Sequence, residues 1–438
     1  MTKQFFSSLI LLFFFLIPAG GAAQEKNPAG AVITASLLLH DDSGARFPFP
    51  QHVTYAAGTI LPDHLSRRRL DDDVRRAYER WKARYLRQVP GTTPSGGPLY
   101  RVSYGSVDPA RTVSEGQGYG MVIVALMAGY ERQARTIFDG LWFFSRLHPS
   151  SIDRRLMSWQ VPEDPDSGTD SAFDGDADIA CGLLLAHSQW GGNGEVDYGA
   201  AARQVITAIR ESVIGSTSLL PLLGDWVKDA GDSRYNEYTP RSSDFMPAHF
   251  RSFGAMSGDD DWLRVVAAVR DAVDHMQAVH SHGTGLLPDF MVPVSAEDHT
   301  LVPAPPYFLE GAADGKYDYN AGRLPWRLGT DALLFGSDDS LRQVRMIANW
   351  IVDKTGGDPA AISNGYGLDG TPTEGDEGSF TTFFAAPFGV AAMTTPRHQQ
   401  FLNKVYDAVV DVQEDYYEDS VTLLCLLVMS GNYWHPRE

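Results

Sequence analysis

Cysteine is nearly missing from this chain, with only Cys181 and Cys425 among 438 residues. Two cysteines cannot make the disulfide framework that staples small secreted domains. Both fall in apolar stretches of helical spacing, which favours buried thiols over a bridge. Positive charge is also short: 36 Lys and Arg stand against 55 Asp and Glu, a net charge of −19. Nucleic-acid binding rests on neutralising phosphates with Lys and Arg, so no nucleic-acid partner is expected. A neutral substrate is compatible with this charge, and a cationic one would be attracted by it. Long hydrophobic runs are confined to Phe5 through Ile17, too short for a comfortable membrane span. Lys3 precedes that run, and Ala19-Gly20-Gly21-Ala22-Ala23 follows it. This is the pattern of a secretory signal over residues 1–23, cut near Ala23. The expectation is a secreted monomer with no membrane segment in its mature form.

Several catalytic signatures are absent as well. There is no G-x-S-x-G and no Walker loop, since the glycines at 116, 118 and 120 lack a matching lysine. His280 and His282 are too few for a zinc site, and no helical H-x-x-x-H occurs. Asp174, Asp176 and Asp178 alternate like a calcium loop, but Ile179 and Leu185 stand where that loop needs glycine and glutamate. No metal and no other cofactor is expected.

What is present is a helical chain. Residues 24–62 carry Pro, Gly and Phe without helical period and read as an arm lying on the body. From there, apolar spacing at three and four residues, with caps and breakers, predicts about twelve helices in residues 63–438. They fall near 71–87, 114–129, 131–147, 174–190, 197–213, 243–257, 259–280, 321–336, 338–354, 379–393, 397–411 and 418–431. Short strands are expected near 100–104 and 287–292. Connections after the even helices are short, whereas those leading into the second to tenth even helices run to roughly 20–40 residues, unusual in a compact domain. The long loops therefore gather at one end of an up-down array. This describes an all-α (α/α)6 toroid in one domain, even helices inside and odd ones outside. An open solenoid would show a repeated sequence period, and none is found.

The most unusual stretch is Thr112-Val113-Ser114-Glu115-Gly116-Gln117-Gly118-Tyr119-Gly120-Met121. Ser114 is a good N-cap residue, which would make Glu115 the first residue of the second helix. Three helical glycines sacrifice roughly 3 kcal/mol of propensity relative to alanine. The compensation expected is close approach of a ligand or of neighbouring helices around Glu115. The plainer reading is an ordinary acid at the favourable end of a helix dipole.

Other polar clusters open the inner helices. Asp174 and Asp178 start the fourth, with Trp159 in the polar loop before it. Arg241-Ser242-Ser243-Asp244 precedes the sixth, where Asp244 suits a cap or a salt bridge. The loop before the eighth is densest: Tyr307-Phe308-Leu309-Glu310 continues through Asp314, Asp318, Tyr319 and Asn320 to Arg323. Aromatic faces cover the C–H faces of sugars, and paired carboxylates are what glycosidic cleavage requires.

The Ser114-to-Met121 motif, followed by Asp174-Gly175-Asp176-Ala177-Asp178-Ile179-Ala180, resembles the family-eight glycoside hydrolases. The resemblance extends through 241–253 and 319–331 and covers most of 80–430. It implies an (α/α)6 barrel and inverting, endo-acting cleavage of β-1,4-linked polysaccharides, chitosan among them. It also implies Glu115 as general acid and Asp174 at the central sugar subsite. One branch of the family carries its catalytic base, an aspartate, where this chain has Asn320. The chain looks like the other branch, of chitosanases and lichenases, in which a glutamate of the preceding loop serves. Glu310 matches it, ahead of Asp314 and Asp318. Arg323 and Asn320 would order the base side, and Trp159, Tyr119, Tyr307, Tyr319 and Asp244 would contact substrate. Two other classes remain as alternatives: a polysaccharide lyase, which needs a Tyr or His base beside cations, and a catalytically dead glycan-binding protein.

Overall fold

The computed structural model describes residues 44–436, apart from 165–167, 228–232, 374 and 376–377. The expected signal segment and the first part of the arm lie outside the described residues. Among the described residues, twelve α-helices follow one another: α1 (Arg67–Tyr85), α2 (Ser114–Leu126), α3 (Ala134–Leu147), α4 (Phe173–Trp190), α5 (Tyr198–Ser212), α6 (Pro247–Ser257), α7 (Asp261–Val279), α8 (Leu324–Phe335), α9 (Asp338–Thr355), α10 (Thr382–Ala392), α11 (Gln399–Val409) and α12 (Tyr416–Met429). Every expected helix is present within a few residues of its expected ends. Also among the described residues, three two-stranded antiparallel ribbons join them: β1 (Leu86–Thr92) with β2 (Pro98–Val102), β3 (Thr112–Val113) with β4 (Gln160–Val161), and β5 (Met291–Pro293) with β6 (Leu301–Pro303). The second expected strand thus begins only at Met291.

The even helices pack in the order α2, α4, α6, α8, α10, α12, and α12 returns to α2. That last contact closes the ring and removes the open solenoid. Composition explains the layering. Helices α2, α4, α10 and α12 are buried on nearly every residue, as helices apolar all round must be. Helices α3, α5, α7, α9 and α11 each bury one stripe and turn a polar face outward. Cys181 and Cys425 sit on α4 and α12 as buried free thiols. Among the described residues, no helix is long and apolar enough to cross a membrane.

The glycines of α2 serve helix packing. A Cβ at Gly116 would stand 2.8 Å from the Tyr416 ring, and one at Gly118 would stand 2.7 Å from Cβ of Asp178 on α4. At Gly120 the obstacle is Val102, at 2.6 Å. Of the two gains expected from these bare positions, the structure realises close helix and side-chain approach. Ser114 departs from expectation. It is the first helical residue, Val113 takes the cap position, and no side chain caps the helix. The reason is the β3–β4 ribbon, which pairs Val113 with Gln160 and holds it extended.

The described part of the arm crosses the far end of the ring. Main-chain amides of Arg46, Phe49, Val53, Ala56 and Ile60 donate to carbonyls of Gln189, Ala128, Gly431, Leu333 and Met393 at 2.8–3.2 Å. These acceptors lie at or just beyond the C-terminal ends of α4, α2, α12, α8 and α10, where helical carbonyls lack partners of their own. The opposite end is left to the inner-helix N-termini and the long loops.

Candidate active site

A cleft of about 460 Å³ opens at that loop-rich end. It is lined by Ser114 and Glu115 of α2, Asp174 of α4, Tyr416, Tyr417 and Glu418 of α12, and the loop residues Trp159, Arg241, Glu310, Tyr319, Asn320 and Arg323.

Glu115 lies in the first turn of α2 with 16% of its side chain exposed. Its Oε1 accepts from the Tyr416 hydroxyl at 2.7 Å, and its Oε2 accepts from Nη1 of Arg323 at 2.6 Å. Burial pushes its carboxyl up to about 7, helped by Asp174 and opposed by Arg323, Tyr416 and Arg241. The helix dipole favours an ionised acid here, so desolvation wins over it. Asp174 goes the other way. Burial opposes its charge too, but Arg241 at 3.0 Å and Arg323 at 2.8 Å hold its carboxyl well below the usual range. Two carboxylates at one cleft are thereby driven apart in proton affinity, the arrangement that assigns acid and anion roles.

Arg323, 1% exposed, connects the whole site. Nη1 reaches Glu115, Asp174 and the Tyr119 hydroxyl; Nη2 donates to Ser243 Oγ at 2.8 Å and to Asn320 Oδ1 at 3.0 Å. Asn320 then donates from Nδ2 to Oε2 of Glu310 at 2.9 Å. Glu115 and Glu310 are thus linked across the cleft through one guanidinium and one amide.

The loop bearing Glu310 is built for position. Phe308 anchors it in a small apolar cluster with Phe290, Leu222 and Leu223. Asp314 accepts from the main-chain amides of Leu309, Glu310 and Gly311 at 2.7–3.0 Å. Both Asp314 oxygens face the loop's own backbone, while Glu310 is exposed and lines the cleft. Asp318 does not line it. Asp289, unremarked in the sequence, is buried and accepts from the amides of Asp318, Asn320 and Ala321. Its burial, with Asp318 nearby, pushes its carboxyl well above the ordinary range.

Trp159 and Tyr319 reach the cleft as expected. The β3–β4 ribbon fixes Trp159 beside Ser114, whose amide donates to the Trp159 carbonyl at 2.9 Å. Tyr319 is 39% exposed and stacks on Phe383 at 5.3 Å.

Three expected substrate contacts are corrected. Tyr119 is fully buried, packed against Trp326 beneath Arg323. Asp244 is fully buried and pairs with Arg241 at 3.0 Å; burial pushes its carboxyl up to about 6 against that arginine. Tyr307 is 72% exposed but lies outside the cleft lining, with a left-handed φ of 62°. Asp178 also turns away, into a buried cluster with Arg327 and His249. Tyr104, Arg111, Tyr416 and Tyr417 line the cleft although the sequence analysis did not name them, and Arg241 joins them from its polar cluster. The pair Tyr416-Tyr417 at an inner-helix start was the available signal. Among the described residues, no group of three or more His, Cys, Asp or Glu could hold a metal ion.

Comparison with known proteins places the chain in a family. A family model described as glycosyl hydrolases family 8 matches residues 71–431. A β-glucanase of Niallia circulans is 42% identical over 390 residues, 88% of this chain and 91% of the relative. An endoglucanase of Bacillus sp. strain KSM-330 is 38% identical over 413 residues, 93% of this chain and 86% of the relative. Among solved structures, the apo β-1,3-1,4-glucanase of Paenibacillus sp. X4 superposes with a TM-score of 0.81 at 41% identity, covering 89% of this chain and 99% of that one. Rex8A from Paenibacillus barcinonensis, solved in complex with xylose, is 17% identical with a TM-score of 0.67 over 87% of this chain and 98% of that one, and shares the fold. The ring of six inner helices, the acid at the start of α2 and these matches together make the chain a glycoside hydrolase of family 8.

Proposed function

We propose that the protein is a secreted, inverting endo-β-glycanase acting on β-glucan, with Glu115 as general acid and Glu310 as general base. The observation that carries this reading is the Glu115–Arg323–Asn320–Glu310 chain across one cleft. Below pH 7 Glu115 holds its proton and delivers it to the glycosidic oxygen as the C1–O bond breaks. Glu310 takes a proton from water, whose oxygen bonds to C1 from the opposite face, so the product anomer is inverted. The bond from Asn320 occupies Glu310 Oε2 and leaves Oε1 for that water. The anion left on Glu115 is stabilised by Arg323 and Tyr416 until it is reprotonated. Asp174, kept ionised by two arginines, accepts from hydroxyls of the central sugar. Trp159, Tyr319 and Tyr417 supply faces for the sugar rings. Asp314 serves as the cage of the base loop. The relatives named for β-glucan support glucan as substrate. We place the signal at residues 1–23, the arm at 24–62 and one catalytic domain at 63–438.

The test is Glu310→Gln assayed on barley β-glucan with and without azide. Activity should fall by a large factor and return in part as a glycosyl azide of inverted configuration. An active Glu310→Gln protein would reassign the base.

A further inference from the structure

One wall of the cleft is a stack of four side chains. Starting from Tyr416, which donates to Glu115, the next ring is Tyr104 at 5.1 Å. The Arg111 guanidinium then lies 4.7 Å from the Tyr104 centroid and 5.1 Å from the Trp159 centroid. All four residues line the cleft. The backbone pins Arg111 in place: its amide donates to the Asp108 carbonyl, and its carbonyl accepts from the amide of Tyr104 and from Arg101. The other cleft arginines are neutralised, Arg241 by Asp174 and Asp244, Arg323 by Glu115 and Asp174. Among the described residues no carboxylate forms an ion pair with Arg111, and its buried Nε finds no acceptor. A guanidinium stays charged in proteins, so this aromatic surface carries a fixed cation with no ion-pair partner among the described residues.

We infer that Arg111 is a specificity-determining residue that selects neutral or anionic β-glucan chains over glucosamine polymers. This inference rests on the glycanase reading. A glucosyl unit packed on the stack offers hydroxyls as acceptors for the guanidinium N–H groups. A glucosaminium in the same place brings a second positive charge to within contact distance of the first. The net charge of −19 attracts cationic chains from afar, but salt screens that field beyond about 8 Å. Contact repulsion inside the cleft is screened far less and decides the choice.

Binding isolates the effect from turnover. In a Glu115→Gln background, affinities for cellohexaose and for a fully protonated glucosamine hexamer are measured by calorimetry. Repulsion at this range predicts at least about tenfold weaker binding of the charged hexamer. Adding Arg111→Gln should narrow the ratio about tenfold, and Arg111→Lys, which keeps the charge, should preserve it. Arg111→Met, which keeps an apolar stem between the two rings, should move the ratio as Gln does and replaces it if Gln fails to fold. A ratio that is the same with Arg, Gln and Met overturns the assignment, as does a hexamer pair that fails to bind. Turnover of barley β-glucan by the wild-type protein is followed in parallel. Turnover with an unmoved ratio removes Arg111 alone, whereas a moved ratio without turnover removes the hydrolase reading alone.

Discussion

Replacing Tyr416 with phenylalanine deletes one oxygen, and with it the bond its hydroxyl donates to Oε1 of Glu115 at 2.7 Å. That bond favours the ionised carboxyl, so its loss must raise the proton affinity of Glu115 further. A hydrogen bond to a charged group contributes about 1.5–3 kcal/mol, and one pKa unit corresponds to about 1.4 kcal/mol. Part of the bond persists when the acid is protonated, so the differential is about one unit. The assay is the pH profile of kcat/KM on β-glucan, whose alkaline limb reports the acid of the free enzyme. In the wild-type protein that limb should fall near pH 7, where Glu115 loses its proton. In Tyr416→Phe it should lie about one unit higher. The ring stays in place against Tyr104, 5.1 Å away, so packing changes little. The same proton affinity has a stability consequence. The folded-state value lies above the ordinary carboxylate value, so the stability it confers is complete below pH 4.5 and is lost as pH rises through about 7. An alkaline limb that stays fixed or moves toward acid would refute Tyr416 as a partner of the ionised acid.

Further outcomes follow from the same geometry. Glu115→Gln should nearly abolish hydrolysis of polymers while calorimetry still detects oligosaccharide binding. Gly116→Ala should lower stability in urea by about 1–3 kcal/mol, because its Cβ meets the Tyr416 ring at 2.8 Å; a more stable variant would show that the ring yields freely. Asp314→Asn replaces an acceptor of three amides and should depress kcat more than it raises KM, with little change in melting temperature. A chain begun at Asp63 loses five main-chain bonds at the closed end, on the order of 5 kcal/mol before the arm's own ordering is counted. Its urea midpoint should drop while the pH profile of the surviving activity keeps its shape.

Much of this protein was legible from local pattern. Helix period, all-round apolarity of α2, α4, α10 and α12, and the alternation of short and long connections need only neighbouring residues to be read. They suffice for a closed ring of helical pairs with the chemistry at one end. Glu115 was legible for the same reason, since its glycine-rich context lies within one helix. The departures among the site residues concern direction. An aromatic residue beside polar neighbours, whether in a helix or in a loop, does not reveal which way its ring turns, so Tyr119 of α2 and Tyr307 of the loop before α8 both suggested substrate contacts, yet one is buried under Arg323 and the other faces solvent. Glu310 and Asp314 are four residues apart, and only the folded backbone, with its amides converging on Asp314, leaves Glu310 to the cleft. Tyr416 lies 301 residues from Glu115, and Arg323 lies 208 from it. No local signal spans such distances. Closing α12 onto α2 brings the hydroxyl to the acid, and the burial that closure produces sets the proton affinity of Glu115.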